Sequence, residues 1–292
     1  MIKRKFGWTG VEVPVIGQGT WMIEGYGHRH EEQQHKVAIE ALQLGLDLGL
    51  THIDTAELYG NGLVEEEIVA KAIAGRKRDE IFLVSKVWPS NASYEGTIKA
   101  CKRSLKRLKT DWLDLYLLHW PSESYPIKET MRAMEKLVDE GLIRFIGVSN
   151  FDVAELQEAE QALSKYRIAC DQVQYNLGYR GIERHLLPYC ADRQIAVVGY
   201  SPFGHANFPS PNSAGGRVLA EIAKRHDRSP RQVALNFLTR HPATFTIPKA
   251  GRLEHVRENS GGAGSWKLSE EDIMAIDRAF PAPDHDMTLQ MI

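Results

Sequence analysis

The sequence predicts a single α/β domain spanning residues 1–292: a closed barrel of eight parallel strands, wrapped by helices, with an amino-terminal β-hairpin and a carboxyl-terminal tail over one face. Three observations lead there. Short apolar runs alternate with longer amphipathic stretches along nearly the whole chain, which is the signature of repeated strand–helix units. At 292 residues the chain exceeds a usual domain, yet α/β barrels routinely take about 250 as one unit. A doubly wound open sheet calls for a G-x-G-x-x-G turn after the first strand, and Gly17-Gln18-Gly19-Thr20 does not continue in that form.

Taken in order, residues 6–15 hold Thr9-Gly10 between alternating residues and read as the hairpin. Barrel strands are expected at 13–17, 52–54, 81–86, 113–119, 145–148, 172–174, 196–200 and 244–247. Helical patterns fall at 31–48, 64–74, 94–108, 127–140, 153–164, 185–193, 217–225 and 230–240, with 253–259 after the last strand. Ser229-Pro230 is an N-cap followed by proline at the first helical position. Ser269 followed by Glu270, Glu271 and Asp272 opens a late helix with acids in its first turn. Residues 203–216 are long for a connector and rich in Gly, Pro, Ser and Asn; together with the tail at 281–292 they are placed over the carboxyl-end face, where barrel enzymes keep their sites.

Composition narrows the function. Apolar content of 43% and charged content of 25% are ordinary for a globular protein. A net charge of −2 argues against a nucleic-acid partner or a polybasic membrane surface, since both need a cationic field. Cys101, Cys170 and Cys190 are scattered, as expected of free thiols in a reducing compartment, and form no metal-binding spacing. The amino terminus is basic without the apolar run of a signal peptide, and no apolar window approaches a membrane span. The expectation is a cytoplasmic monomer that acts on a small molecule and uses no metal.

Polar residues finish three consecutive apolar strands: Asp54, Lys86 and His119, with Tyr59 placed in the loop after Asp54. Singly, each has a plainer reading, as a structural ion pair, a core histidine or a loop anchor. Gathered at one rim they suit carbonyl reduction, in which hydride leaves negative charge on oxygen and a proton must follow. A tyrosine is a reluctant acid at neutral pH. An adjacent lysine is expected to lower its pKa. Asp54 would hold Lys86 charged, and His119 would hydrogen-bond the carbonyl oxygen or relay the proton.

The runs Asp54-Thr55-Ala56-Glu57-Leu58-Tyr59-Gly60, Ser85-Lys86, Leu115-Tyr116-Leu117-Leu118-His119-Trp120-Pro121, Gly147-Val148-Ser149-Asn150-Phe151, Ile247-Pro248-Lys249 and Glu258-Asn259 resemble the signatures of aldo-keto reductases, and the text between them is most similar to bacterial methylglyoxal and small-aldehyde reductases. The resemblance implies a tetrad of Asp54, Tyr59, Lys86 and His119, and NADPH-dependent reduction of aldehydes and ketones. It places the nicotinamide carboxamide on Ser149, Asn150 and Gln172, and its ring against Tyr200. Gly19, Thr20, Trp21, Ser201 and Phe203 belong to the same cofactor site. Lys249 matches the main partner of a 2′-phosphate. Glu258 and Asn259 complete the set, while Ala250 and His255 stand where serine and arginine are common, which leaves NADH use open. Trp21, Trp88 and Trp120 are expected to wall the substrate pocket, and Trp8, Trp112 and Trp266 to be structural. Two other readings compete. A regulatory protein on this fold, similar to potassium-channel β-subunits, would carry a long amino-terminal arm, and none precedes the barrel here. A lyase using Lys86 as a Schiff-base amine would set that lysine in an apolar pocket.

Overall fold

The computed structural model describes residues 1–23, 32–264 and 266–290, with the side chains of 61–64 outside the description; Glu31 and the last two residues of the tail therefore fall outside it. An antiparallel pair, β1 (Lys3–Lys5) and β2 (Glu12–Pro14), precedes the barrel. The barrel strands are β3 (Gln18–Gly19), β4 (His52–Asp54), β5 (Phe82–Val87), β6 (Leu113–Leu118), β7 (Ile143–Ser149), β8 (Ile168–Gln174), β9 (Ala196–Tyr200) and β10 (Thr244–Thr246). They pair in chain order, all parallel. The ring closes between its first and last members. Ile16 bridges Thr246 and Gly19 bridges Lys249, Gly17 N–H donates to Thr246 O at 2.8 Å, and Thr246 N–H donates to Val15 O at 2.9 Å.

Helices α1 (Glu32–Asp47), α2 (Tyr59–Ile73), α3 (Tyr94–Leu108), α4 (Ile127–Asp139), α5 (Val153–Ala162) and α6 (Leu186–Asp192) each follow one strand. Both α7 (Ala214–His226) and α8 (Pro230–Leu238) lie between β9 and β10; α9 (Leu253–Ser260) and α10 (Glu270–Ala279) come last. The N-cap foreseen at Ser229 and the helix start foreseen at Ser269 are present, and each is a capping box closed by the side chain three residues on.

Several boundaries differ from expectation; β7 begins at Ile143 rather than 145, and β8 at Ile168 rather than 172. The strand expected at 13–17 divides: β2 belongs to the hairpin, and the barrel strand is Gln18–Gly19. Pro14 cannot donate to a ladder, and the closing segment runs through glycines that present no apolar side chain to read. A side chain at position 17 would not fit, because its Cβ would stand 2.7 Å from His52 O. Next, α2 begins at Tyr59 rather than at 64, so Tyr59 sits at a helix start and not in a loop. Finally, α7 begins at Ala214, where the Ser213 hydroxyl accepts from Gly216 N–H.

Both faces of the barrel strands are buried, which explains their nearly continuous apolar runs. Alternation then sorts the side chains. Ile53, Leu83, Tyr116 and Leu118 face the helices in the larger core, while Phe82, Val84, Leu115, Leu117, Val198 and Phe245 share the interior cluster. The hairpin plugs the amino end, where Phe6 packs against Phe82 and Phe245 with ring centroids 4.9 and 5.0 Å apart. Each such buried ring contributes roughly 1.5–3 kcal/mol.

Candidate active site

At the carboxyl end the same inward-facing rows turn polar. In β5, Phe82 and Val84 are followed by Lys86; after β6, Leu115 and Leu117 are followed by His119; β4 ends on Asp54 and β8 places Gln172 beside them. Asp54, His119 and Gln172, with Tyr59, line a cavity of about 760 Å³, and Lys86 lies buried behind Asp54 and Tyr59. Lys86 lies wholly inside the protein and its ammonium donates three hydrogen bonds, to Asp54 Oδ2 (2.6 Å), Thr55 O (2.9 Å) and the Tyr59 hydroxyl oxygen (3.1 Å). That uses every N–H it has. Gln172 Nε2 donates to the other Asp54 oxygen at 2.7 Å. Because the Tyr59 oxygen accepts from Lys86, its own hydrogen is free to point toward the cavity that Tyr59 lines.

The electrostatics correct one expectation. Burial, then Asp54 and Glu65, raise the Tyr59 pKa well above its ordinary value, so the net shift is opposite to the lowering expected of Lys86. Burial also lowers the Lys86 pKa, against the raising effect of Asp54 beside it. The phenol therefore keeps its proton until negative charge develops beside it. His119 is pushed well below its ordinary value, first by burial and then by Lys86, and is neutral at pH 7. A neutral imidazole can donate one hydrogen bond to a carbonyl oxygen. An ammonium with all its hydrogens engaged has no lone pair for Schiff-base attack, which counts against the lyase reading.

Around this cluster the cavity wall contains Trp21, Trp88 and Trp120, as anticipated. Trp88 stands 5.4 Å from His119 and 4.3 Å from Trp120 between ring centroids. The other tryptophans lie elsewhere: Trp8 Nε1 donates to Ile168 O, Arg78 covers Trp112, and Trp266 packs near His226.

Gly19, Thr20, Ser149, Asn150, Gln172, Tyr200, Ser201, Phe203 and Lys249 also line the cavity. Ser149 Oγ donates to Gln172 O at 2.7 Å. The Asn150 amide donates to His119 O (3.2 Å), and its oxygen accepts from the Tyr200 hydroxyl (2.8 Å). The backbone carries this presentation: Asn150 and Ser201 adopt φ of 61° and 50°. The chemistry suits a dinucleotide. An amide-rich patch sits beside the Tyr200 ring, the buried Thr20 hydroxyl has no partner among the described residues, and a Cβ on Gly19 would stand 2.6 Å from Ile247 O.

Three expected cofactor residues lie off the cavity wall. Glu258 accepts from Ser229 Oγ at 2.6 Å and His255 faces Glu254 at 3.7 Å, both on α9, which packs against α1 and α8 rather than lining the cavity. Asn259 is buried beside Ala250 and Gly19 at a small adjoining void. Sequence reading missed two residues. His205 stacks on Trp21 with centroids 5.1 Å apart, in the long loop flagged only by its composition. Glu57 ties two site loops together, and its place inside the Asp54–Gly60 run was the available signal.

A closed parallel barrel with an Asp–Lys–Tyr–His cluster at its carboxyl rim defines an oxidoreductase of carbonyl groups. The chain belongs to the aldo/keto reductase family, whose model matches residues 15–280. It is 43% identical to methylglyoxal reductase YeaE of Escherichia coli, over 97% of this chain and 96% of that one. Glyoxal reductase of Bacillus subtilis is 35% identical, over 94% of each. Among solved structures, an aldo-keto reductase of Klebsiella pneumoniae in complex with NADPH superimposes with a TM-score of 0.89 at 38% identity, covering all of both chains.

Proposed function

We propose that the protein reduces small and aromatic aldehydes and ketones, methylglyoxal among them, to alcohols with NADPH, using Tyr59 as proton donor. The observation that carries this reading is the triple donation by Lys86, which holds Asp54, Thr55 and Tyr59 in one unit at the cavity floor. When bound, NADPH supplies hydride to the carbonyl carbon. Tyr59 gives its proton to the carbonyl oxygen, and Lys86, already donating to the phenol oxygen, stabilises the tyrosinate left behind. Neutral His119 donates to the same oxygen and orients the substrate. The three tryptophans supply apolar wall to the same cavity, two of them packed on His119.

Ser149, Asn150 and Gln172 would hold the nicotinamide amide, with Tyr200 against its ring. Lys249, exposed at the cavity edge, would take the 2′-phosphate. Arg252, whose side chain is largely exposed near Glu254, or Arg257 on α9 would supply the charge that Ala250 and His255 lack. The relatives that act on methylglyoxal and glyoxal support the substrate class, and the NADPH complex supports the cofactor. A cytoplasmic location goes with this reading, consistent with three buried free cysteines and with no helix, among the described residues, that is long and apolar enough to cross a membrane.

A panel of small aldehydes and ketones followed by NADPH absorbance tests the proposal. Turnover of methylglyoxal is expected, and absence of turnover across the panel would overturn the reading. For the cofactor, Lys249→Ala should lower kcat/KM with NADPH by about tenfold or more while leaving NADH nearly unaffected. An unchanged NADPH-to-NADH ratio removes Lys249 from the phosphate site.

A further inference from the structure

Glu57 sits between Asp54 and Tyr59 on the connection from β4 to α2, and only 7% of it is exposed. Its N–H donates to Lys86 O at 3.3 Å. Its carboxylate reaches the segment that follows β5. There Oε1 accepts from Trp88 N–H at 2.7 Å and from Asn91 Nδ2 at 3.0 Å. Oε2 faces Arg103 of α3 at 3.3 Å. One side chain thus joins the stretch carrying Tyr59 to the stretch carrying Trp88. Glu57 is not among the residues lining the cavity, so it reaches a substrate only through what it holds.

What it holds is one of the two indoles that pack on His119. Trp88 packs edge-on to His119 and to Trp120, and no strand fixes its backbone, since β5 ends at Val87. A buried N–H without an acceptor is unfavourable, so losing the carboxylate oxygen would drive the Trp88 backbone to find another partner and carry the indole with it. The Arg103 pair is a weaker candidate for this role, because half of that side chain is in solvent and exposed ion pairs contribute little.

We propose that Glu57 is a positioning residue: through Trp88 N–H it sets the distance between the indole wall and the proton-delivering side of the cavity, and so determines how well the site accepts aromatic relative to small dicarbonyls. This rests on the carbonyl-reductase reading above. The test compares methylglyoxal with phenylglyoxal, which share the dicarbonyl and differ in the ring, using the full chain and NADPH, with cofactor affinity measured separately by fluorescence titration.

Glu57→Leu is expected to raise KM for phenylglyoxal about tenfold relative to methylglyoxal, with kcat for methylglyoxal and NADPH affinity within about twofold of wild type. Glu57→Gln, which keeps an acceptor oxygen, should restore the wild-type ratio, and Arg103→Ala should leave it unchanged. A wild-type KM ratio in Glu57→Leu overturns the proposal, as does an Arg103→Ala variant that reproduces the Leu phenotype. Should Glu57→Leu fail to fold, Glu57→Asp carries the same test: its carboxylate is one methylene short of Trp88 N–H, and a wild-type ratio there is equally fatal. If the wild-type protein reduces neither dicarbonyl, the functional reading itself has failed, which is a distinguishable outcome.

Discussion

Two histidines face the barrel interior at opposite ends, His52 at the start of β4 and His119 just beyond β6. Both are buried, and in both the pKa is lowered by the same causes, burial first and Lys86 second; His52 falls to about 3. Their surroundings differ. His52 lies edge-on to Phe6 and Phe82 beneath the hairpin, and neither ring nitrogen has a hydrogen-bond partner among the described residues. His119 meets Tyr59 and Trp88 and opens onto the cavity. A displaced titration therefore does not mark a site in this barrel. Space for a ligand and several polar groups aimed into it do.

The contrast can be tested at four levels. The largest effect is expected at the group both histidines feel. Lys86→Met leaves Asp54 buried without its cation, and breaking such a pair costs about 3–5 kcal/mol; the urea midpoint should fall accordingly and aldehyde reduction should vanish. Next, Tyr59→Phe should lower kcat by about 10²–10⁴ with little change in melting temperature or NADPH affinity. Near-native turnover in that variant removes Tyr59 as the donor.

The histidines themselves come third. His119→Leu is expected to reduce kcat by about a hundredfold. In the same assay His52→Leu should leave kcat unaltered, and a comparable loss there would abolish the distinction drawn between the two ends. The smallest effect is on stability against pH. The unfolded chain protonates His52 below about 6.5, whereas the folded chain resists until about 3. Stability is thus complete above pH 6.5 and declines as pH falls through that window, by up to about 1.4 kcal/mol per unit from this residue. In His52→Leu, the dependence of stability on pH between 6 and 4 should be shallower by about one proton.

Much of this was readable from residues alone, and particular cases show why. Both ends of α3 were located correctly, because Ser93 caps it and Lys109 ends it in the left-handed conformation, so local chemistry sets the boundaries. Asp54, Lys86 and His119 stand out because each is an ionisable group at the end of an otherwise apolar strand. The first strand did not stand out, since its place is fixed by pairing with β10 at the far end of the chain. The helical pattern shows only from residue 64, so Tyr59 reads as a loop residue, yet it opens α2, whose first turn includes Gly60 at φ 64°. The phenol's raised pKa follows from burial and from Asp54 acting together, a sum that no spacing of residues encodes.

The seam between β3 and β10 has a kinetic consequence. It joins residues 16–19 to residues 246–249 through a two-residue strand, held by Gln18, whose side-chain amide donates to Leu42 O of α1 and to Leu50 O just before β4. Contacts that distant carry a large loop-closure entropy, so the ring should close late during folding and part early during native fluctuations. In deuterium exchange, the amides of Gly17 and Gly19 should then lose protection ahead of those in β5 to β8. Because Gly19 and Lys249 also border the cavity, a dinucleotide lying across them would act as a clasp on the seam, slowing exchange there more than anywhere else in the barrel.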